Sequence, residues 1–548
     1  MTKNAWTPPF TDSHNKGVEQ FDTDVAIVGA GPVGTLLAIL LGQKGHRVTL
    51  VERWPQPYDR PRAVTFDHEI ARILASLGID SDNDPAINYH DELYYWRNAE
   101  GEDLLIVDWK STSASGWRVR YWFYQPDLEK RLLGIAQNTP GVRLIRGWEA
   151  NALSQDKDGI WLQGRSETSG APTSLRARYV VGADGANSFV RQALKLSFTD
   201  HGFFYDWLIL DMIPHEERVL DPVHWQLCDP KRPTTIVPGG PGRLRWEFMA
   251  LPGESAEILS SPETAWELMS PWGLTPANST LERSAVYRFQ ARWAESWRNG
   301  RGLIAGDAAH LMPPFAGEGM CAGLRDAVAL GWRLDAILSG VMGEEVLDSY
   351  TSERREHVKH YIEFSMELGR IICITDPAEA VARDQRMKAE LEASDPKPVP
   401  TDKASLGPGI WNPDAGHAGE LSIQGIVRAG ELCGRFDEVV GRGWLVIGYG
   451  QSPRQALSAE QVQTLERLDA RFVTLGPVGT VCEVADAEGT YAAWLASIDA
   501  RFLVIRPDFY VAASAASAES LRQQMDNLLL QLHLTPVLPD LEVNADCA

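Results

Sequence analysis

"VAIVGAGPVGTLLAILLG", Val25–Gly42, decides how the chain is read. Its apolar length is close to that of a bilayer span. The central Gly29-Ala30-Gly31-Pro32-Val33-Gly34 divides it, however, into a strand (Val25–Val28), a turn and a helix (Pro32–Gln43). A second strand, Arg47–Val51, completes a βαβ beginning. Gly29 permits the tight turn, Gly31 lets the backbone approach a pyrophosphate, and Gly34 lets the helix pack on the strand. The helix that opens at Pro32 then presents free N–H groups and a partial positive charge to the phosphates. Glu52, 18 residues after Gly34, ends the second strand where an acid can hold ribose hydroxyls, and Arg53 follows it. A glycine-rich core turn would not need that acid. The spacing predicts dinucleotide binding and leaves NAD and FAD both open.

Two later stretches repeat the pattern of a strand ending on a carboxylate. "GADGANSFVR", Gly182–Arg191, carries Asp184, and "RGLIAGDAAHLMPPFAGEGMCAGLRDAVALGWRL", from Arg301, carries Gly306-Asp307. Taken singly, each is an ordinary turn. Three such strand ends suit one extended ligand lying along the carboxyl edge of one sheet. The second stretch continues through Pro313-Pro314 and a Gly317-Glu318-Gly319 turn into a helical pattern that includes Met320 and Cys321.

Composition bounds the function. With 548 residues the chain is long enough for two to four domains. Lys and Arg number 52 against 74 Asp and Glu, a net charge of −22, which repels nucleic acid and anionic membrane surfaces. The six cysteines form no CxxC and no metal-ligand spacing, so no metal is expected and the thiols read as reduced and cytoplasmic. The first residues, "MTKNAWTPPFTDSHNKG", lack the apolar core of a secretion signal. Residues 200–290 are aromatic, Pro-rich and strand-like, and "EASDPKPVPTDKASLGPG" at 392–409 reads as a linker. Strand signals at Gly443–Ile447 and Ala500–Ile505, then a helix around Ser517–Leu532, follow it.

With these motifs in this order, the chain resembles the single-component FAD-dependent aromatic hydroxylases over residues 22–395. "ERWPQPYDRPRAV" and "QPDLEKRLL" also look like segments of that family. The nearest subgroup by resemblance is the 3-(3-hydroxyphenyl)propionate hydroxylase type, whose thioredoxin-like tail is matched by "FLVIRPDFYVAA". The resemblance implies an α/β fold: a Rossmann-type FAD-binding domain (21–195 and 291–395, the latter with long helices), a mostly β substrate insert (196–290), and a redox-inactive thioredoxin-like domain (396–548). It also implies NADH or NADPH as reductant, O2, a C4a-hydroperoxyflavin, a small phenolic substrate hydroxylated ortho or para to its hydroxyl, and a homodimer.

By that resemblance Arg62 contacts the pyrophosphate or the nicotinamide, Gln125 reaches the flavin, and Asp307 holds the ribityl chain. Pro313 and Pro314 form a rigid wall, and the helix from Gly319 aims its N–H groups at the flavin's pyrimidine oxygen. The chain departs from the family pattern at Glu318, commonly Gln, and at Cys321, often Asn. Cys321 is expected to be a small filler rather than a reactive thiol. A base that draws the phenol toward phenolate is sought, by residue type, among His68, His224, Tyr205 and Tyr287. Alternation in "RLRWEFMALP" puts Arg243, Arg245 and Glu247 on one strand face, either lining the substrate cavity with an arginine for a substrate carboxylate or facing solvent. Two other readings stand beside the hydroxylase. A flavin-dependent halogenase would carry a WxWxIP segment, which is absent here, and a flavin-binding redox sensor would use the tail as its partner surface.

Overall fold

The computed structural model describes residues 21–166, 173–394 and 404–536. Residues 1–20 and the centre of the linker lie outside the described residues.

The first sheet is built on Thr23–Val28, flanked by Val48–Glu52 and Ser174–Gly182, with Val142–Arg146 and Gly302–Ile304 beyond them, all parallel. Val25, Ala26 and Ile27 are each fully buried. Because successive side chains point to opposite faces, this run shows that both faces of the sheet are covered. An antiparallel pair, Trp148–Gln155 and Ile160–Ser166, extends from Ser174–Gly182. Helix Gly319–Leu338 packs on helix Pro32–Gln43, where a Cβ at Gly331 would sit in ordinary contact with Leu37 and Leu40.

The second sheet has eight strands in the order His310–Leu311, Ser279–Ala294, Phe198–Pro214, Leu244–Met249, Thr234–Pro238, Trp225–Leu227, Tyr94–Arg97, Asp103–Val107. The sequence placed this layer within 196–290, but the sheet also recruits strands from residues 94–107 and 310–311. These two-to-five-residue pieces are too short to show an alternation of their own. One face, with Leu208, Leu210, Trp246 and Phe248, buries against the helix Pro262–Met269. The other carries Trp207, Ile209 and Met249 and meets Phe315, Ile372 and Cys373.

Helices Asp348–Ile372 and Pro377–Ala393 complete the helical region. A third, seven-stranded sheet follows, with central strands Arg471–Pro477, Leu445–Tyr449 and Phe502–Ile505, and helix Ala518–Gln531 packed on it. It docks on the first unit through buried polar contacts. Arg72 pairs with both oxygens of Asp437, the Trp332 indole donates to Asp508, and Arg506 pairs with Glu353.

Candidate functional site

The three strand ends meet as the motifs predict. Val28, Gly182 and Ile304 lie side by side in register, so Gly29, Asp184 and Gly306-Asp307 share one carboxyl edge. Gly29 has φ +105°, and a Cβ there would lie 2.3 Å from the Ala183 carbonyl oxygen. Gly34 is tighter still, 2.1 Å from the Gly29 carbonyl oxygen. Gly31 is different: a Cβ there would meet nothing within 4 Å. The turn is therefore closed at its two ends and open at its centre, where the uncapped helix begins at Pro32. That is a cradle with room for a phosphate and N–H groups to bind it. Glu52 accepts from Ala30 N (3.0 Å) and Trp54 N (2.9 Å), so its carboxylate is fixed at the rim. Arg53 is exposed beside Trp54.

Asp307 is open to solvent, while Gly306, Ala308, Ala309 and His310 around it are buried. So much protein surrounds it that desolvation still pushes its carboxyl above the usual range. Asp307 is thus an accessible carboxylate standing among buried neighbours at this edge. Its turn is held from behind by Asp326, which accepts from Gly306 N (3.0 Å), contacts His310 Nε2 (2.7 Å) and pairs with Arg354 (2.9 Å). The sequence reading missed Asp326, His310 and Arg354; they are spread over residues 310–354 with no local signal linking them. Asp184 accepts from Ser188 Oγ and Val190 N, capping the short helix Phe189–Ala193.

Gln125 is buried, and its amide holds protein rather than pointing outward. Oε1 accepts from Arg62 N (2.9 Å) and Ala63 N (2.7 Å), and Nε2 donates to Glu129. Two arginines of the second sheet grip the same loop, Arg245 at the Arg62 carbonyl (2.7 Å) and Arg283 at the Pro61 carbonyl. Arg62 itself is exposed at this loop. Of the two readings of this strand face neither holds for Arg245, which is buried rather than facing solvent and whose Nε and Nη2 bind Asp211 at 2.7 and 3.0 Å rather than standing free for a substrate carboxylate. Arg243 is likewise taken, by Glu282.

The turn between the two units carries Pro314, exposed, and Gly317, Gly319 and Met320, half-buried. Helix Gly319–Leu338 starts without a side-chain cap, leaving N–H groups for a ligand. Glu318 is buried between Arg120 (3.2 Å) and Arg325 (3.0 Å). Burial and the neighbouring Asp67 outweigh both arginines and push its carboxyl up to about 7. Cys321 is fully buried, and burial raises its thiol well above the ordinary range, which removes it as a nucleophile. Ligand-type atoms of Asp67, Glu318 and Cys321 lie within 4.8 Å of one another, but Arg325 pairs with both carboxylates and supplies the positive charge there.

The candidate bases separate. His68 contacts Ser115 Oγ through Nδ1 (3.0 Å), and Tyr287 receives the Arg283 guanidinium. Tyr205 stands in the aromatic layer against Phe203 (5.2 Å between centroids). His224 is buried beside Trp122 and Trp109, and burial pushes it down to about 3, so it stays a neutral imidazole. Its Nε2 lies 3.2 Å from the Glu92 carbonyl, an acceptor, so that nitrogen carries the hydrogen. The other nitrogen is left as a buried acceptor with no partner among the described residues. Phe315, on the turn, touches Trp207 (5.5 Å) and Phe289 (5.8 Å), which places this aromatic layer directly against the turn.

Fold and site thus define a dinucleotide-binding α/β protein with an aromatic-faced sheet set against its nucleotide edge. Residues 22–365 match the model of the FAD binding domain, and residues 419–531 match the HcaD C-terminal domain. A probable NADH-specific resorcinol 4-hydroxylase of Rhodococcus jostii is 35% identical, covering 94% of this chain and 96% of the relative. A 3-(3-hydroxy-phenyl)propionate/3-hydroxycinnamic acid hydroxylase of Comamonas testosteroni is 30% identical, covering 93% of this chain and 97% of the relative. Among solved structures, aklavinone-11 hydroxylase with FAD and aklavinone superposes with a TM-score of 0.76 at 23% identity, over 94% of this chain and all of that one. That likeness shows the fold. The chain belongs to the single-component FAD-dependent aromatic hydroxylases, and it is an FAD- and nicotinamide-dependent monooxygenase.

Among the described residues no helix is long and apolar enough to cross a membrane.

Proposed function

We propose that this enzyme hydroxylates a small phenol at a ring carbon ortho to its hydroxyl, with NADH as the reductant. One atom of O2 enters the ring C–H bond, the other leaves as water, and NADH with one proton supplies the electrons and the remaining hydrogen. FAD, when bound, supplies the electron transfer and the oxygen chemistry. The observation that carries the reading is the contact of Phe315 with Trp207 and Phe289. It sets an apolar layer, suited to a flat ring, against the turn that faces the cofactor.

The residues then have definite tasks. Gly31 and the open helix start at Pro32 bind the pyrophosphate, Glu52 the ribose, and Asp307 the ribityl hydroxyls. Arg62, on a loop gripped by Gln125, Arg245 and Arg283, meets the pyrophosphate or the nicotinamide. The helix start at Gly319, which has no side-chain cap, would offer its N–H groups and positive dipole end to negative charge on the cofactor. Trp207, Phe289 and Phe315 orient the substrate and exclude water, whose entry would divert reducing equivalents to peroxide. The five parallel strands and their glycine turn support a Rossmann-type FAD domain over 21–195 and 291–395. A substrate unit at 196–290 is extended by the strands at 94–107. The central strand order of the third sheet, with Leu445–Tyr449 parallel to Arg471–Pro477 and antiparallel to Phe502–Ile505, supports a thioredoxin-like unit at 396–548. Among its described residues Cys433 and Cys482 are both free, and its sequence has no CxxC.

Absorbance of the FAD-loaded protein tests the reading. Under anaerobic conditions NADH bleaches the flavin faster when resorcinol is present, and admission of air yields a hydroxylated product. A flavin that no pairing of nicotinamide and phenol bleaches would contradict it.

A further inference from the structure

The inner face of the second sheet carries a carboxylate, Glu247, that has a long ion pair with Arg245 and receives no hydrogen bond from any described residue. Register places Ile209 opposite Glu247 and Trp207 opposite Met249, with Tyr287 beyond Trp207, so Glu247 shares the face of the aromatic layer. Its side chain remains 14% accessible, yet burial pushes its carboxyl above the usual range, more than Arg245 lowers it. The carboxylate is thus mostly enclosed within the protein, with a small part of it accessible. Its nearest cation, Arg245 Nη1, stands 3.7 Å away, beyond hydrogen-bond distance, and the Arg245 fork is directed at Asp211. No hydrogen bond from any described residue reaches the Glu247 carboxylate.

The cations of this layer are committed elsewhere. Arg245 binds Asp211 and the Arg62 carbonyl, Arg283 the Pro61 carbonyl and the Tyr287 hydroxyl, and Arg120 Glu318. A carboxylated substrate entering here would meet a carboxylate and find these guanidinium groups occupied. A hydroxyl would meet an acceptor lacking its donor. A hydrogen bond to such a charged acceptor is among the stronger ones, whereas a second carboxylate in its place is both desolvated and repelled.

We infer that Glu247 is a substrate-binding and specificity-determining residue that accepts a hydrogen bond from a ring hydroxyl and excludes carboxylated phenols. The substrate class is then a neutral phenol, of which a dihydroxybenzene is the simplest example. This rests on the phenol hydroxylase reading above and separates two chemistries that it leaves together, neutral phenols and phenolic acids.

The test is equilibrium binding to the FAD-loaded enzyme, read from perturbation of the flavin spectrum, with resorcinol and 3-(3-hydroxyphenyl)propionate as probes. The wild-type enzyme binds resorcinol more tightly than the phenolic acid by about tenfold or more. In Glu247→Gln, resorcinol binding weakens by about tenfold or more and the preference against the acid shrinks. Wild-type enzyme that binds the acid as well as resorcinol overturns the inference with no variant needed, and leaves the hydroxylase reading intact. Glu247→Gln that loads FAD and binds both probes as the wild type does also overturns it. A flavin that responds to neither probe would overturn the inference together with the reading beneath it.

Discussion

Arg506 and Glu353, both fully buried, pair through two parallel bonds of 2.8 and 2.7 Å and join the third sheet to the long helix Asp348–Ile372. Glu353 also accepts from Arg333 (2.6 Å) and Ile410 N (2.6 Å). The tail therefore meets the FAD-binding unit through a buried charged seam as well as through apolar contact. Breaking such a pair on one side leaves an uncompensated charge, so Arg506→Met is expected to cost about 3–5 kcal/mol, read by denaturant unfolding. A loss below about 1 kcal/mol would show that the seam contributes little.

The same pair gives a pH dependence with a definite sign. Burial disfavours the Glu353 charge, but Arg333 and Arg506 outweigh it and hold its carboxyl at about 2, against 4.5 for a free glutamate. A depressed folded value means that the stabilisation is complete above pH 4.5 and is lost as pH falls toward 2. Wild type should lose its advantage over Glu353→Gln across that window. A gap in melting temperature that stays constant from pH 7 to pH 3 would contradict this.

Two glycines of one turn should behave oppositely. Gly34→Ala drives a methyl to 2.1 Å from the Gly29 carbonyl, so the helix must move and stability falls. Gly31→Ala places its methyl in open space, so folding is preserved while the methyl occupies room the pyrophosphate needs. Melting temperature and FAD content, measured on both, separate the two effects. A Gly31→Ala protein that retains full FAD content would remove Gly31 from the cradle.

Asp307→Asn keeps the size of the side chain and removes its charge. FAD affinity should fall about tenfold or more, in line with the loss of a charge-assisted hydrogen bond, while the apoprotein melts unchanged, because no described residue donates to this carboxylate. Fluorescence titration of apoprotein with FAD measures it. Unchanged affinity would remove Asp307 from the site.

Alkylation should find Cys433 and leave Cys321 untouched. Cys433 is exposed, whereas Cys321 is fully buried and burial holds its thiol protonated. Mass mapping after brief iodoacetamide treatment at pH 8 reads both. Rapid labelling of Cys321 would mean that the turn opens in solution.

The nucleotide edge was legible because its chemistry is local. Gly29 to Gly34, Glu52 and Gly306-Asp307 each carry their own spacing, and all of them reach one edge of one sheet. The substrate layer was only half legible. Alternation put Arg243, Arg245 and Glu247 on one face, but whether Arg245 is free depends on Asp211, 34 residues away, and on the Arg62 carbonyl, 183 residues away. No pattern along the chain encodes such a partner. The same holds for Gln125, whose amide is consumed by a loop 62 and 63 residues distant. Strands as short as Tyr94–Arg97 join the second sheet through partners rather than through a period of their own.

The most direct measurement uses isotopic oxygen. The FAD-loaded enzyme, NADH and resorcinol are incubated under 18O2, and the product is weighed by mass spectrometry. One 18O atom is expected in each hydroxylated product, with one NADH consumed for each coupled turnover. Product oxygen drawn from water, or NADH consumed only to peroxide with every phenol offered, would contradict it.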